Sequence, residues 1–341
     1  MFYNVYYYQF ARSQSIGKEA LILTPIINIP DFWLGKPYYS LDAYCKYTFK
    51  HKCYKIALDA HMTCPNRDGT LGSRGCIFCS VGGSGDFAVS TRGKSIHNQL
   101  KEGLALFQAK KVGSHLIAYF QAYTNTYAPI EYLEQIYSQA LDHPDICGIS
   151  IATRPDCLPE EVLALLSSLK QRYPRKFIWV ELGLQSMHEK TAAFIRRGYN
   201  LACFTDSFQR LSEHSIPTIV HVILGLPGET PEDMYATIRY LNGCRPFGIK
   251  LQLLHVLEGT DLATLYKAGT FETLSKDTYL DILIHCLELL HPETVIHRVT
   301  GDGPKELTLA PLWSLNKRDV LNSLHTLMRS RGNFQGRLYC D

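Results

Sequence analysis

Residues 55–80 read KIALDAHMTCPNRDGTLGSRGCIFCS, an apolar, strand-like run that breaks into a loop carrying Cys64, Cys76 and Cys79. A cubane iron–sulfur cluster used only for electron transfer takes four thiolates, so a local set of three leaves one iron open to a small molecule. Cys76 and Cys79, separated by two residues, can reach one metal centre. Gly69, Gly72 and Gly75 allow the long arm from Cys64 to wrap tightly. The CxxC pair equally suits a zinc knob or a chance cluster of core thiols, so this loop leaves three readings open.

Working outward, the stretches 55–59, 116–121, 148–153, 178–185, 218–225 and 249–256 are apolar, β-branched or aromatic, with room for a helix between each pair. Continuous apolar character is what a parallel strand covered on both faces requires. Between them, PIEYLEQIYSQAL puts Leu133, Ile136, Tyr137, Ala140 and Leu141 on one helical stripe, and PEEVLALLSSLK does so with Val162, Leu165, Leu166 and Leu169. Pro129, Pro159 and Pro231 each suit a first helical position, and Thr230 suits a cap with Asp233 in the first turn. The alternation predicts either a six-stranded (β/α)6 partial TIM-like barrel or a doubly wound sheet. In a barrel, chemistry gathers at the C-terminal strand ends.

The chain has 341 residues, 46% of them hydrophobic, enough for one barrel-sized domain or two ordinary ones. With 35 basic and 32 acidic residues the formal net charge is +3, which permits a polyanionic partner without requiring one. Eleven cysteines, an odd number at irregular spacing, make a poor disulfide framework and argue for a reducing compartment, the cytoplasm. Most of them read as small buried apolar groups; Cys53, just before the first apolar run, is the ambiguous one. The opening thirty residues lack the order of a secretory signal, and their apolar patch is too short to span a bilayer, so no membrane role is expected.

At CPNRDG (64–69) and GCIFC (75–79) the chain resembles the radical S-adenosylmethionine (radical SAM) superfamily, with a longer first cysteine interval than the usual CxxxCxxC. The CPNRDG block is similar to the YhcC/YtqA-like branch, which is related to the radical domain of the Elongator catalytic subunit. The resemblance implies the partial six-stranded barrel, a 4Fe-4S cluster on Cys64, Cys76 and Cys79, and S-adenosylmethionine bound at the open iron. It also implies a low-potential electron donor such as flavodoxin or ferredoxin.

Cofactor contacts are carried over position by position. QAYTNTY (121–127) stands where the superfamily has GGE, so Asn125 and carbonyls near Tyr123 are the substitutes. VELGLQS (180–186) offers Glu181 and Gln185, four apart and therefore on one strand face. A carboxylate in an apolar strand needs a partner, so Glu181 either meets the cofactor or forms a buried ion pair with Arg154 or Arg197. Arg154 and Arg197 are cofactor candidates in their own right. ILGLPGET (223–230) resembles the region beside the adenine, with Ile223 in apolar contact and Gly225 allowing close approach. His221 and Tyr123 are the candidate catalytic side chains, although a lone strand histidine is usually a hydrogen-bonded core residue.

These readings divide the chain into an N-terminal extension (1–30) expected to be poorly ordered, a barrel (31–291), and a C-terminal cap (292–341). The cap contains Lys305, Trp313, Lys317, Arg318, Arg329 and Arg331, which suit either RNA contact or closure of the barrel edge. Three functions compete: a radical enzyme converting a carboxymethylaminomethyl to an aminomethyl group on a tRNA wobble uridine, as the resemblance implies; a radical enzyme for a small molecule or protein; and a non-enzymatic metal-cluster interaction protein.

Overall fold

The structure, a computed structural model, describes residues 29–83, 94–109, 115–301 and 303–340. The extension expected to be poorly ordered therefore lies, apart from Ile29 and Pro30, outside the described residues. All six apolar runs form strands: β1 (Tyr54–Leu58), β2 (Leu116–Phe120), β3 (Ile146–Thr153), β4 (Phe177–Gln185), β5 (Thr218–Leu224) and β6 (Gly248–Leu253). After them come β7 (Val256–Leu257), β8 (Val295–Arg298) and β9 (Thr308–Ala310). One parallel sheet runs in the order β1-β2-β3-β4-β5-β6-β8, and β7 pairs with β9 in a small antiparallel ribbon.

The expected partial barrel is present with its six strands, and among the described residues a seventh strand extends it. The added strand, β8, comes from the stretch assigned to the cap, and its few apolar residues followed by His297 and Arg298 gave no strand-length signal. The rest of that stretch does cover the barrel, because Val320, Leu324 and Met328 of α10 (Lys317–Arg331) pack into the main core.

The helices follow local chemistry. In α3 (Ile130–Leu141) and α4 (Glu160–Arg172) the predicted stripes are buried. Pro231 is the first residue of α7 (Pro231–Cys244), behind a capping box between Thr230 and Asp233. Pro129 and Pro159 instead occupy the cap positions just before their helices.

The sheet is strongly curled. In a flat sheet β1 and β4 would lie about 14 Å apart, and β2 and β6 about 19 Å. Lys55 Nζ on β1 nevertheless lies 2.6 Å from Glu181 Oε1 on β4, and Lys250 Nζ on β6 donates to the Tyr119 hydroxyl on β2 at 2.9 Å. The floor of this half-barrel is mostly apolar: Ile117, Trp179 and Ile219 pack with Phe247 and with Tyr44 of α1 (Leu41–Phe49), and the His297 ring meets Trp179 and Phe247 edge-on. Charged side chains begin one layer higher, so the chemistry faces the C-terminal mouth.

Candidate active site

The cysteine loop leaves the end of β1 and is stapled by the two residues that follow Cys64-Pro65. Asn66 Nδ2 donates to the carbonyls of Arg196 (2.8 Å) and Arg197 (3.2 Å) and lies 3.5 Å from Cys76 Sγ. Arg67 donates to the carbonyls of Cys79 (2.9 Å) and Ser80 (2.6 Å). A Cβ on Gly75, which has φ +74°, would stand 2.9 Å from Arg67 Nε, so the loop closes this tightly only with glycine there. Burial, then the neighbouring Cys79, pushes the Cys76 thiol up to about 11.

Cys64, Cys76 and Cys79 line one cavity at the barrel mouth together with Tyr123, Arg154, Glu181, Gln185, Arg197 and His221. Most of the expected site thus converges. Three expected residues do not line this cavity. Asn125 is fully buried, donating from Nδ2 to the Ala152 carbonyl at 3.0 Å. Ile223 packs in an apolar cluster with Ile77, Ile195 and Leu226. Gly225, at φ +86°, makes a turn where a Cβ would meet Leu274 at 2.9 Å.

The expected ion pair of Glu181 with an arginine is replaced by another. Glu181 accepts from Lys55 (2.6 Å), His221 Nε2 (2.7 Å), Ser150 (2.5 Å) and Lys250. Burial alone would raise its pKa, but Lys250 and Lys55 outweigh burial and hold the carboxyl well below the usual range. Burial, then Lys250, pushes His221 down to about 4, so its imidazole is neutral and donates from Nε2.

Arg154 is fixed by Asp156 at 2.7 Å and approaches Cys64 Sγ at 3.9 Å. Arg197 donates from Nη1 to the carbonyls of Leu184 (2.9 Å) and Ser186 (2.7 Å), and from Nε to that of Tyr199 (2.9 Å). Its Nη2 is buried without a hydrogen-bond partner; Glu189 is 3.8 Å away. Both guanidinium groups stack on the Tyr199 ring, at 4.9 and 4.8 Å. A three-thiol loop beside an orphaned buried guanidinium nitrogen suits an anion-bearing cofactor held next to a cluster.

Sequence reasoning missed Lys55, Lys250, Tyr119, Tyr199 and Arg298. The signal for two was present: a lysine in the middle of YKIAL and another in GIKLQL are charges in buried strands, and such charges need partners.

A curled parallel half-barrel with three loop cysteines at its mouth defines the radical SAM class of enzymes. Residues 69–241 match the Radical SAM superfamily and residues 246–330 the Radical_SAM C-terminal domain, and the chain belongs to this superfamily. Its cofactors are the superfamily's 4Fe-4S cluster and S-adenosylmethionine. The chain is 42% identical over 304 residues to the uncharacterized protein YtqA of Bacillus subtilis, covering 89% of this chain and 93% of that protein. It is 30% identical over 177 residues to Elongator complex protein 3 of Dictyostelium discoideum, covering 51% of this chain and 30% of that one. The solved structure of archaeal Methanocaldococcus infernus Elp3 with an N-terminal deletion overlays with TM-score 0.65 at 15% identity, covering 83% of this chain and 64% of that one, a likeness of fold. No helix among the described residues is long and apolar enough to cross a membrane.

Proposed function

We propose that this radical SAM enzyme processes the side chain of a tRNA wobble uridine, converting carboxymethylaminomethyl to aminomethyl. The observation that carries the reading is the cavity wall. Among the described residues its charged side chains are Arg67, Arg154 (paired with Asp156), Arg197, Lys250, Arg298 and the carboxylate Glu181, beside the cysteines. Such a wall can hold an anionic, hydrogen-bonding substrate group. Relatedness to Elongator complex protein 3 supports the RNA assignment.

When bound, the cofactors would supply hydrogen-atom abstraction at the methylene between the amine and the carboxylate, after reduction by a donor of the flavodoxin or ferredoxin kind; return of one electron to that donor and addition of water would break the C–N bond, leaving the aminomethyl group and releasing the two-carbon fragment as glyoxylate. Cys64, Cys76 and Cys79 would hold the cluster. Arg197 Nη2, with Arg154 beside it, would hold the cofactor's carboxylate. The Glu181 network fixes the cavity floor, and Tyr123, whose hydroxyl donates to the Val81 carbonyl at 2.5 Å, holds the cysteine loop against the mouth. Neutral His221, engaged at Nε2, positions Glu181 instead of shuttling protons near neutrality.

One observation favours a small-molecule or protein substrate. Trp313 donates from Nε1 to the Leu274 carbonyl at 3.1 Å and packs on Tyr279, so it is engaged as a cap and not presented for base stacking. Comparing wobble nucleosides in tRNA from deletion and parent strains separates the two. Accumulated carboxymethylaminomethyl uridine in the deletion supports the RNA reading; an unchanged profile overturns it.

A further inference from the structure

β6 and β8 run parallel with one irregularity in their pairing. Ile249 stands opposite Ile296, but Lys250 stands opposite Arg298, which makes His297 an extra residue in β8. In a regular pleat Arg298 would share the face of Ile296, which packs in the main core. The bulge turns Arg298 into the barrel instead, where it lines the cavity beside Lys250. Re-aiming a side chain in this way is what bulges beside active sites do.

The outcome is two cations directly opposite on neighbouring strands, an arrangement unfavourable by itself. Lys250 already shares one carboxylate, Glu181, with Lys55 and His221. Burial presses Lys250 toward its neutral form; Glu181 opposes that, and Lys55 and Arg298 add to the pressure. The Lys250 and Arg298 side chains both reach the same part of the cavity wall, where their N–H groups can converge on one anionic group. Gln252, two residues along β6 from Lys250, also lines the cavity and can add an amide donor.

We propose that Lys250, Arg298 and Gln252 form a carboxylate-recognition end of the cavity, and that the β8 bulge thereby selects substrates carrying a carboxylate near the attacked C–H. The inference rests on the mouth cavity being the substrate site, as in the function proposed above, and it names the group recognised there. A carboxylate and a phosphate share this chemistry, so the test separates them.

The cofactor-loaded enzyme is titrated with free 5-carboxymethylaminomethyluridine, with its carboxamide analogue and with uridine 5′-monophosphate, using the parent, Arg298→Gln and Arg298→Lys. Expected is a roughly ten- to hundredfold preference of the parent for the carboxylate over the carboxamide, the worth of a charge-assisted hydrogen bond. Arg298→Gln should lose most of that preference and Arg298→Lys should restore much of it. Gln252→Leu, which removes no charge, should lose a smaller part and covers the case in which Arg298→Gln folds poorly. Equal binding of the carboxylate and carboxamide by the parent, or binding of neither, overturns the proposal. So does an Arg298→Gln effect confined to the monophosphate. A parent that prefers the carboxylate but leaves wobble side chains unconverted retires the RNA reading and upholds this one.

Discussion

Lys55 Nζ on the first strand lies 2.6 Å from Glu181 Oε1 on the fourth, and the carboxylate between them is fully buried. This bond spans the hollow of the sheet, and with Lys250 and His221 it makes Glu181 the centre of the barrel's polar layer. Glu181→Ala would strand buried cations, a loss of about 3–5 kcal/mol for such pairs. Lys250 can shed its proton, so the lower end is expected. Urea unfolding of the apo protein measures this, and a variant as stable as the parent would remove the structural role.

Acid should unfold the protein through its neutral histidines. His221 is pushed down from 6.5 to about 4 by burial and then Lys250, and His255 reaches about 4 by burial. A depressed folded pKa means that the unfolded chain takes the proton first, so this stability is complete above pH 6.5 and is lost between about 6.5 and 4. Glu181, held below its usual range, adds a further loss below pH 4.5. His221→Asn should flatten the upper part of the profile by roughly 3 kcal/mol at most. An unchanged slope in that variant would contradict the assignment.

The strand alternation was legible because the helix-facing sides of β1 to β6 are buried and their inner sides are mostly apolar too, so each reads as an apolar run with at most a polar interruption or two. β8 was not legible, since four residues ending in His-Arg carry no such run. Cys64, Cys76 and Cys79 were singled out by their shared loop, but spacing left their role open and only the family resemblance carried by CPNRDG and GCIFC implied a cluster. The partners of Glu181 were not legible, because Lys55 and Lys250 lie three and two strands away in the sheet and only its curl joins them. Arg298 was hidden for a related reason: its inward direction depends on a bulge, and one-residue register shifts leave no mark in a single sequence.

The cysteine loop predicts a selective loss of metal. Cys64→Ala, Cys76→Ala or Cys79→Ala should abolish cluster uptake on anaerobic reconstitution, whereas Cys244→Ala and Cys147→Ala should retain it, because neither lines the mouth cavity. Iron and sulfide analysis reads the difference. Full iron content in the Cys76 variant would remove the basis of the site.

Arg197 predicts a cofactor defect without a metal defect. Arg197→Lys retains a charge but cannot serve three carbonyls and an anion at once. Affinity for S-adenosylmethionine should fall roughly ten- to hundredfold, with iron content unchanged. Arg154→Ala should act in the same direction. Parent-like affinity in either variant would return that arginine to a structural role at the Tyr199 ring.

The C-terminal helix tests the RNA reading most directly. Lys317 and Arg318 are exposed at the start of α10, on the segment that covers the barrel. If this end of the helix tracks a phosphate backbone, affinity for tRNA should fall steeply with salt as counterions are released. Replacing both residues by Ala should weaken binding and lower the slope of log K against log salt by roughly two. Trp313→Ala serves as the contrast. Its ring packs on Tyr279, so the substitution should cost roughly 2 kcal/mol of stability, less than the 3–5 of a fully buried ring, and leave the salt slope as it was. A double variant with parent-like slope would move the RNA contact away from this helix, and a parent without salt-sensitive tRNA affinity would hand the site to a small-molecule substrate.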